Sequence, residues 1–563
     1  MRSIEEAIAE VAAPDQPFEV VKVEKNGAII RHYKNAPTNL RQFFNSARGL
    51  DQTFLVYEDE EWTFDVVMQE VDALAHLLVD HYGVRKGDRV GIAMRNYPEW
   101  IISFAAITSI GAISVSLNAW WTEKEIEYAV NDAGLSVLIA DHERVLRATA
   151  PCATAGIKIL GVRLHDDETY APEIEHWALL VVRGHSMPDV EVGPDDDATI
   201  LYTSGTTGFP KGAVSTHGAV SQALMAYASN AAIQVARREP GEGGSGLAPC
   251  FILIVPLFHV TGCVPVMLSC FAWHFKLVMM YRWDAERALE LIERHRVTAF
   301  VGVPTQSWDL MESPSFSKHD TSSLVTVGGG GAPAPAKLVA RVGSSFKNGG
   351  PTLGYGMTET NAYGPGNYGE DYLTHPSSTG RVPTIVMDVE IRDEELRPVA
   401  RGASGEIWLL SPALIRGYWG RPEATAETLV KGWLRTGDLG YIDEEGFLYI
   451  EDRVKDMILR AGENVYSAEV ESAIYEHPAV YEAAVFGLPH ERLGEEVACV
   501  IMVREGATLD GAELKGYLEG KLAPYKIPTQ IAFTYEPLPR NPAGKFLKRQ
   551  MPTLYFPSTV ANA

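Results

Sequence analysis

The chain has 563 residues, which exceeds what one hydrophobic core usually serves and predicts at least two domains. It is 46% hydrophobic and 22% charged, which excludes a disordered or fibrous protein. The net charge of −24 argues against nucleic acid as a partner, because phosphate backbones bind basic surfaces. The five cysteines form no CxxC pair, which favours a reducing, cytoplasmic setting without a disulfide framework or structural zinc.

The N-terminal half alternates helical periodicity with short apolar runs. Its first residues are acidic and lack a long apolar run, so no signal peptide is predicted. Ile101–Leu117 is apolar but interrupted by serines, threonines and a glycine, which favours a buried helix and strand over a membrane span of about 20 apolar residues. Phe251–Tyr281, interrupted by prolines and histidines, is interpreted in the same way. Helices are predicted at Val66–Tyr82 and Ala285–His295, and buried strands at Arg89–Met94, Ser136–Ala140 and Thr298–Val303.

The pattern changes twice in the C-terminal half. From 380 to 450, short strands alternate with Gly, Pro and acidic turns, which predicts a β-rich subdomain. After Asp452, helices at Ala468–Glu476 and Gly511–Leu522 alternate with strands at Ala483–Phe486 and Val497–Val503. The predicted fold class is α/β. A large N-terminal domain of layered α/β sheets with the β-rich subdomain (1–452) precedes a small α+β C-terminal domain (453–563), with the boundary at Glu451–Lys455.

The strongest local pattern is Thr203–Gly212, which follows the apolar strand Ala198–Leu201. Glycines let backbone N–H groups turn toward an anion, hydroxyls donate hydrogen bonds, and Lys211 neutralises charge, so the segment suits a polyphosphate. It is not a Walker A loop, which requires GxxxxGK[ST], because Gly212 follows the lysine. The residues of this predicted cradle are Thr203, Ser204, Gly205, Thr206, Thr207, Gly208 and Lys211.

This segment closely resembles the signature phosphate loop of the adenylate-forming superfamily. That superfamily includes acyl- and aryl-CoA synthetases, adenylation domains of nonribosomal peptide synthetases, and beetle luciferases. Further motifs of the family follow in order along residues 50–550, and this order makes the resemblance specific. The resemblance implies ATP, Mg²⁺ and coenzyme A as ligands, and a C-terminal domain that moves.

Two downstream motifs match the family's nucleotide site. Gly354–Glu359 matches its second core motif, which implies that Tyr355 stacks on adenine, Thr358 contacts the α-phosphate, and Glu359 holds Mg²⁺ with Thr203. Trp433–Asp438 contains the family's ribose-binding TGD, which implies that Asp438 accepts hydrogen bonds from the ribose hydroxyls. Within the second core motif, the residues that the resemblance assigns to the nucleotide are Gly354, Tyr355, Gly356, Met357 and Thr358.

Three further motifs match the parts of the family's C-terminal domain that move during the reaction. Asp452–Asp456 matches the interdomain hinge, in which Arg453 contacts the nucleotide and Lys455 is the pivot. Gly462–Asn464 matches the segment that swings against the acyl pocket for thioester formation. Pro539–Lys545 matches the loop whose lysine, here Lys545, bridges the attacking carboxylate and the α-phosphate.

The acyl pocket is predicted from three segments. Phe258–Gly262 matches the family's acyl-pocket motif and implies that His259 lies near the substrate carboxylate. Gly328–Pro333 resembles a GGAP segment, and its four glycines predict a roomy or elongated pocket because they remove side-chain bulk. Val303–Gln306 is predicted to form another wall. The GGAP residues assigned beside the nucleotide are Gly331, Ala332 and Pro333.

Together these motifs imply an AMP-forming acid–thiol ligase that acts on a small-molecule carboxylic acid, with a medium- or long-chain fatty acid favoured. An aryl- or other carboxylate–CoA ligase, an adenylation enzyme that loads a carrier protein, a luciferase-type oxygenase and a non-catalytic nucleotide-binding regulator are the alternatives. We expect a cytoplasmic protein without a transmembrane segment. Peripheral membrane contact and a homodimer stay open at this stage.

Overall fold

The computed structural model describes residues 2–165, 167–203, 210–238, 246–331, 334–453, 456–460, 463–490, 492–541, 545–557 and 559. Two eight-stranded sheets, a six-stranded sheet, a five-stranded sheet and an N-terminal hairpin organise these residues. This layered arrangement agrees with the predicted α/β class.

The first eight-stranded sheet carries the root of the predicted phosphate loop. Its central strands are parallel and its edge toward the loop is antiparallel, because a short loop can join only antiparallel neighbours. In spatial order its strands are Gly417–Tyr418, Lys211–Thr216, Asp197–Thr203, Ile113–Ser116, Arg89–Ala93, Val137–Asp141, Lys158–Val162 and Ile174–His176.

The second eight-stranded sheet carries the acyl-pocket segments and the second core motif. Parallel strands form its centre and antiparallel strands close both edges. In spatial order its strands are Gly366–Tyr368, Gly350–Gly354, Thr326–Gly330, Ala299–Gly302, Cys250–Leu253, Lys276–Met279, Thr53–Tyr57 and Glu60–Thr63.

One apolar core joins these two sheets. Every residue of helix Pro98–Ser109 is buried in it, which explains why the segment lacks an amphipathic pattern. The predicted helix and strand within Ile101–Leu117 are therefore confirmed. Among the described residues, no helix is long and apolar enough to cross a bilayer.

The remaining helices cover the sheets and lie close to their predicted bounds. The helix at Ala285–His295 is confirmed at both ends. The helix predicted at Gly511–Leu522 is shorter and ends at Leu518, because Glu519 has an extended ψ of 131° and Gly520 then takes a left-handed φ of 79°. The α-helices are Ile4–Val11, Leu40–Asn45, Phe64–Asp80, Pro98–Ser109, Glu123–Ala133, His142–Ala155, Trp177–Leu180, His217–Ala236, Ser269–Ala272, Ala285–His295, Pro304–Glu312, Ala336–Ser345, Gly369–Thr374, Pro422–Thr428, Ser467–Tyr475, Gly511–Leu518 and Met551–Tyr555. A π-helix spans Gly262–Leu268, and 3₁₀ turns span Phe316–Lys318, Thr358–Thr360, Pro524–Lys526 and Lys548–Gln550.

The predicted β-rich subdomain is an antiparallel six-stranded sheet. Its strands are Ser378–Arg381, Phe447–Arg453, Trp433–Ile442, Gly405–Leu410 and Asp388–Arg392, with Leu429–Val430 beside the third. The predicted boundary at Glu451–Lys455 falls on the end of strand Phe447–Arg453, while Val454 and Lys455 lie outside the described residues. That this point divides two domains stays a prediction.

The C-terminal sheet has its own apolar cores on both faces. Strand Gly494–Val503 lies at its centre, antiparallel to Val480–His490 and parallel to Gln530–Thr534. Two short strands, Ile458–Arg460 and Glu463–Val465, complete it.

An N-terminal hairpin links the large sheets to the six-stranded sheet. It consists of strands Val20–Lys25 and Ala28–Tyr33. Arg31 donates a hydrogen bond to Asp388 at 2.7 Å, and the Tyr33 hydroxyl bonds to Ser229 on helix His217–Ala236 at 2.6 Å.

The turn after strand Gly350–Gly354 depends on Gly356. A Cβ at this position would lie 2.2 Å from the carbonyl oxygen of Ala362, whose φ of 59° is itself left-handed. Gly354, two residues earlier, has no described atom within 4 Å of such a Cβ. The two glycines therefore have different structural roles within one motif.

We expect Gly356→Ala to lower the free energy of unfolding by about 2 kcal/mol, because the added methyl group must displace backbone rather than a side-chain end. Gly354→Ala is the matched control, and its free energy of unfolding should be unchanged or slightly raised. Denaturant unfolding of both variants measures the difference. Equal stabilities would contradict the close backbone approach at Gly356.

Candidate active site

The predicted phosphate loop connects two paired strands. Thr203 ends one strand, Lys211 begins the next, and the two residues face each other in register. The Thr203 hydroxyl donates to the carbonyl oxygen of Lys211 at 3.3 Å. The loop residues Ser204, Gly205, Thr206, Thr207 and Gly208 lie outside the described residues, so their contacts with phosphate stay predictions.

Lys211 and Glu359 both contact Tyr418. The Lys211 ammonium lies 4.7 Å from the centre of the Tyr418 ring, and the Tyr418 hydroxyl donates to a Glu359 carboxylate oxygen at 2.6 Å. Glu359 is only 7% exposed. Burial and the negative charge of Glu359 raise the pKa of Tyr418, so its hydroxyl stays a donor. The predicted charge-neutralising lysine and metal-binding carboxylate are thus neighbours.

Tyr355, Asp438 and Arg453 form a second cluster. The Tyr355 hydroxyl donates to one Asp438 carboxylate oxygen at 2.6 Å, and the Arg453 Nε lies 3.1 Å from the other. Asp438 and Arg453 face each other across neighbouring strands of the six-stranded sheet. The structure therefore brings together the residues predicted for adenine, ribose and hinge.

Asn361 fixes the 3₁₀ turn Thr358–Thr360 that carries two predicted site residues. Its φ of 52° is left-handed, which asparagine tolerates better than most residues. Its side chain accepts from Ser215 at 3.0 Å and donates to the carbonyl of Ala413 at 2.9 Å. Thr358 is half-buried at the start of this turn, and Met357 precedes it.

Lys545 reaches this region from the C-terminal part of the chain. Burial and, to a smaller extent, the positive charge of Arg453 lower the pKa of its amine to about 8. Asn541 closes the surrounding loop, because it donates its N–H to the Lys545 carbonyl at 2.8 Å and accepts the Lys545 N–H on its side chain at 2.9 Å. Residues 542–544 lie outside the described part.

His259 lies close to Lys545. Burial and, to a smaller extent, the positive charge of Lys545 lower the pKa of His259 to about 4, so the ring is neutral at pH 7. Its Nδ1 accepts the backbone N–H of Thr261 at 3.4 Å, which assigns the ring proton to Nε2. A neutral donor next to the ammonium suits the predicted place of the substrate carboxylate.

The four glycines at 328–331 do not all leave open space for an acyl pocket. A Cβ on Gly328 would lie 1.8 Å from the Thr352 hydroxyl oxygen, and one on Gly329 would lie 2.7 Å from the Gly302 carbonyl oxygen. These two glycines allow close strand packing. Only at Gly331, with a φ of 79°, is there no described atom within 4 Å of a Cβ. Ala332 and Pro333 lie outside the described residues, so a roomy pocket stays a prediction.

Asp132, which no motif indicated, links both ends of the phosphate loop. Tyr202, directly before the loop, donates to Asp132 at 2.9 Å. Tyr128 contacts another oxygen of the same carboxylate at 3.3 Å and the carbonyl oxygen of Pro210, at the loop's far end, at 3.1 Å. Arg421 pairs with the carboxylate at 2.7 Å. The Asp132 side chain is 7% exposed, so these contacts are largely screened from water.

Asp132 was missed because it lies on helix Glu123–Ala133, far from the loop in sequence. Tyr418 was missed for a similar reason, since its two-residue strand carries no signature of its own. Only the position of Tyr202, next to the loop, offered a signal.

Comparisons with known proteins find relatives over most of the chain. The family model for AMP-binding enzymes matches residues 43–419, and that for the AMP-binding enzyme C-terminal domain matches residues 469–545. Feruloyl-CoA synthase of Amycolatopsis sp is 34% identical over 476 residues, which is 83% of this chain and 89% of that protein. Long-chain-fatty-acid–CoA ligase FadD13 of Mycobacterium tuberculosis is 35% identical over 487 residues, covering 85% and 91%.

Solved structures with the same fold include enzymes with bound nucleotides. The o-succinylbenzoate CoA synthetase of Bacillus subtilis in complex with its acyl-adenylate intermediate has a TM-score of 0.77 at 28% identity, covering 92% of this chain and 98% of that one. ATP-bound MatB from Rhodopseudomonas palustris has a TM-score of 0.79 at 28% identity, covering 91% and 98%.

We expect Asp132→Asn to raise the KM for ATP about tenfold with little change in the KM for the acid. The substitution removes the charge that holds Arg421, and a hydrogen bond to a buried charged group is worth about 1.5–3 kcal/mol. Steady-state kinetics with each substrate varied in turn measure this. Glu127→Gln, an exposed acid on the same helix, is the control. An unchanged KM for ATP would show that the loop does not need this anchor.

Proposed function

The chain belongs to the AMP-binding enzyme family, and on this basis we propose that it is an ATP-dependent acyl-CoA synthetase. The observation that carries the proposal is the half-buried Lys545, whose amine is within electrostatic influence of Arg453, Asp438 and His259. A lysine with a lowered pKa, brought from the C-terminal part of the chain to a nucleotide-type cluster, has no evident structural purpose. It suits a reaction that joins two anions.

In the first half-reaction the substrate carboxylate oxygen attacks the α-phosphorus of ATP and pyrophosphate leaves, which gives an acyl-AMP. Because both reactants are anionic, catalysis consists mainly of positioning and neutralising charge. Lys211 stabilises the leaving pyrophosphate, Lys545 bridges carboxylate and α-phosphate with Thr358, and Asp438 holds the ribose. In the second half-reaction the CoA thiol displaces AMP and loses its proton, which yields the thioester.

Glu359 and Thr203 are the residues that would hold Mg²⁺. A buried carboxylate and a hydroxyl fit a hard divalent ion, which takes oxygen ligands and binds through one or two protein groups plus phosphates. Bound there, Mg²⁺ supplies further charge neutralisation at the phosphates. Tyr418 orients the Glu359 carboxylate for this role through its hydrogen bond.

The hinge completes the proposal. Arg453 ends the strand that reaches the C-terminal sheet, and Lys455 is assigned as the pivot, although it lies outside the described residues. Movement there would withdraw Lys545 and present the segment around Glu463 and Asn464 for thioester formation. The domain boundary at Glu451–Lys455 is part of this proposal.

A medium- or long-chain fatty acid is the favoured substrate. The apolar residues around His259, including Phe258 and Val260, are buried and lead into the π-helix Gly262–Leu268, whose residues other than Pro265 are all buried. The fatty-acid ligase among the relatives supports this choice, while feruloyl-CoA synthase keeps an aromatic acid as the second candidate. A carrier protein in place of CoA is a third option. All five cysteines are free thiols, which supports a cytoplasmic location.

We expect pyrophosphate release with a panel of C2–C18 and aromatic acids to be highest for acids of medium or long chain. Acyl-CoA should form only when CoA is added. A coupled pyrophosphate assay with and without CoA measures both steps. If an aromatic acid has the highest kcat/KM, the second candidate replaces the first, and if no acid supports release, the enzyme proposal fails.

We expect kcat/KM for adenylation to fall as pH rises through about 8. The lowered pKa of Lys545 means that its ammonium is lost from the free enzyme near this pH rather than above 10. In Lys545→Arg the charge persists, so residual activity should not fall in this range. Lys545→Ala should lose about 10²-fold or more in adenylation and retain CoA-dependent turnover of added acyl-AMP. A wild-type profile flat to pH 10 would contradict the role of the ammonium.

A further inference from the structure

Helix Pro304–Glu312 contacts the C-terminal sheet through its last turns. The residues that meet it are Tyr481, the second residue of strand Val480–His490, and Arg504, which directly follows strand Gly494–Val503. The N–H of Arg504 donates to the Ala479 carbonyl at 2.9 Å, so the two side chains start from adjacent points of one sheet. Neither residue belongs to a motif found in the sequence.

Asp309 receives one hydrogen bond from each part of the chain. The Tyr481 hydroxyl donates to one of its carboxylate oxygens at 2.9 Å, and the Trp283 indole N–H donates to the other at 2.9 Å. Trp283 belongs to the N-terminal part and orients the carboxylate. The Asp309 carboxylate is therefore already oriented to accept the hydrogen bond from Tyr481 of the C-terminal sheet.

Glu312 is shared in the same way. Arg504 lies 3.0 Å from its Oε1, and Arg341 of the N-terminal part lies 2.9 Å from the same oxygen. Arg504 also lies 5.3 Å from the centre of the Tyr481 ring and 5.7 Å from that of Trp308, within the range of a cation–π contact. Arg504 and Glu312 are each 29% exposed, so solvent screens their attraction only in part.

The other end of this helix is fixed at the predicted acyl pocket. Gln306 accepts the N–H of Val303 at 2.9 Å and donates to the Ile254 carbonyl at 3.3 Å. One rigid helix thus connects a wall of the acyl site with the surface on which the C-terminal sheet rests. The position of that sheet in turn sets where Lys545 lies.

We propose that Tyr481 and Arg504 form a latch with Asp309 and Glu312 that holds the chain in its acyl-AMP-forming arrangement. The four residues are positioning residues, because they act through Lys545 and not on the substrate. The latch contacts exist only while the C-terminal sheet rests on helix Pro304–Glu312, and they must break when the sheet moves for the thioester step. This inference rests on the proposed function.

The two half-reactions test the latch separately. In Arg504→Ala and Tyr481→Phe, we expect the single-turnover rate of pyrophosphate release to fall about five- to tenfold, with the best acid of the panel. Conversion of the matching synthetic acyl-AMP to acyl-CoA should be unchanged or faster, because the competing arrangement is released. Arg504→Lys, which retains the charge, should recover part of the lost rate.

Arg341→Ala is the matched control. Arg341 shares Glu312 and contacts Trp308 at 4.9 Å, as Arg504 does, but belongs to the N-terminal part. Its loss should leave the ratio of the two half-reactions as in the wild type. Equal losses in both half-reactions, or the same split in Arg341→Ala, would overturn the latch.

A second measurement does not depend on weakening the contact. In Asp309→Cys/Tyr481→Cys, a bifunctional methanethiosulfonate reagent that spans the length of the lost tyrosine side chain should link the two thiols and trap the latched arrangement. The five native cysteines are buried, so the reaction is run on the folded enzyme without denaturant. The cross-linked enzyme should form acyl-AMP once and no acyl-CoA, and reduction of the cross-link should restore turnover. Full acyl-CoA formation by the cross-linked enzyme would refute the latch, whereas absence of pyrophosphate release in the wild type would refute the proposed function as well.

Discussion

The carboxylate of Asp438 is the point on which the rest of the site depends. It accepts the Tyr355 hydroxyl from the turn after the second large sheet, and it pairs with Arg453 at the end of the six-stranded sheet. Through Arg453 it influences Lys545, whose pKa responds to both charges. Three parts of the chain that are distant in sequence thus meet at one buried acid, 4% exposed. A buried carboxylate with one cationic and one neutral donor is well compensated, so it can hold a fixed position.

A second constraint is charge. A protein of net charge −24 repels polyphosphates at long range, so the site must attract them with local cations. Lys211, Arg453 and Lys545 are the cations that we propose for this role. Lys211 lies over an aromatic ring, Arg453 pairs with a carboxylate, and Lys545 belongs to a closed loop. The pKa of Lys545 reflects this crowding, because loss of water and, to a smaller extent, the charge of Arg453 lower it to about 8. The acidic surface and the cationic site are therefore separate features of one chain.

Much of the fold follows from local pattern. Helix Ala285–His295 has strong amphipathic periodicity and capping residues at both ends, and the structure has it with the predicted bounds. The helix at Gly511 ends four residues early because Glu519 is extended and Gly520 is left-handed, and periodicity does not report such backbone conformations. Gly328 and Gly329 were interpreted as open space, but neighbouring strands fill that space. Ordered motifs indicated Lys211, Glu359 and Asp438, whereas Tyr418 and Asp132 contact the site only through the tertiary fold.

The N-terminal hairpin connects two parts of the fold that are distant in sequence. Arg31 holds Asp388 in the six-stranded sheet, and Tyr33 holds Ser229 on the long helix that follows the phosphate loop. A Cβ at Gly432 would meet Ala28 at 2.9 Å, so the tip of the hairpin also rests on the turn before the strand that carries Asp438. The hairpin is therefore packed against two separate parts of the chain and is not a free terminal extension. It joins the six-stranded sheet to the helix that follows the predicted phosphate loop, so these two parts of the chain are held together by contacts outside the candidate site.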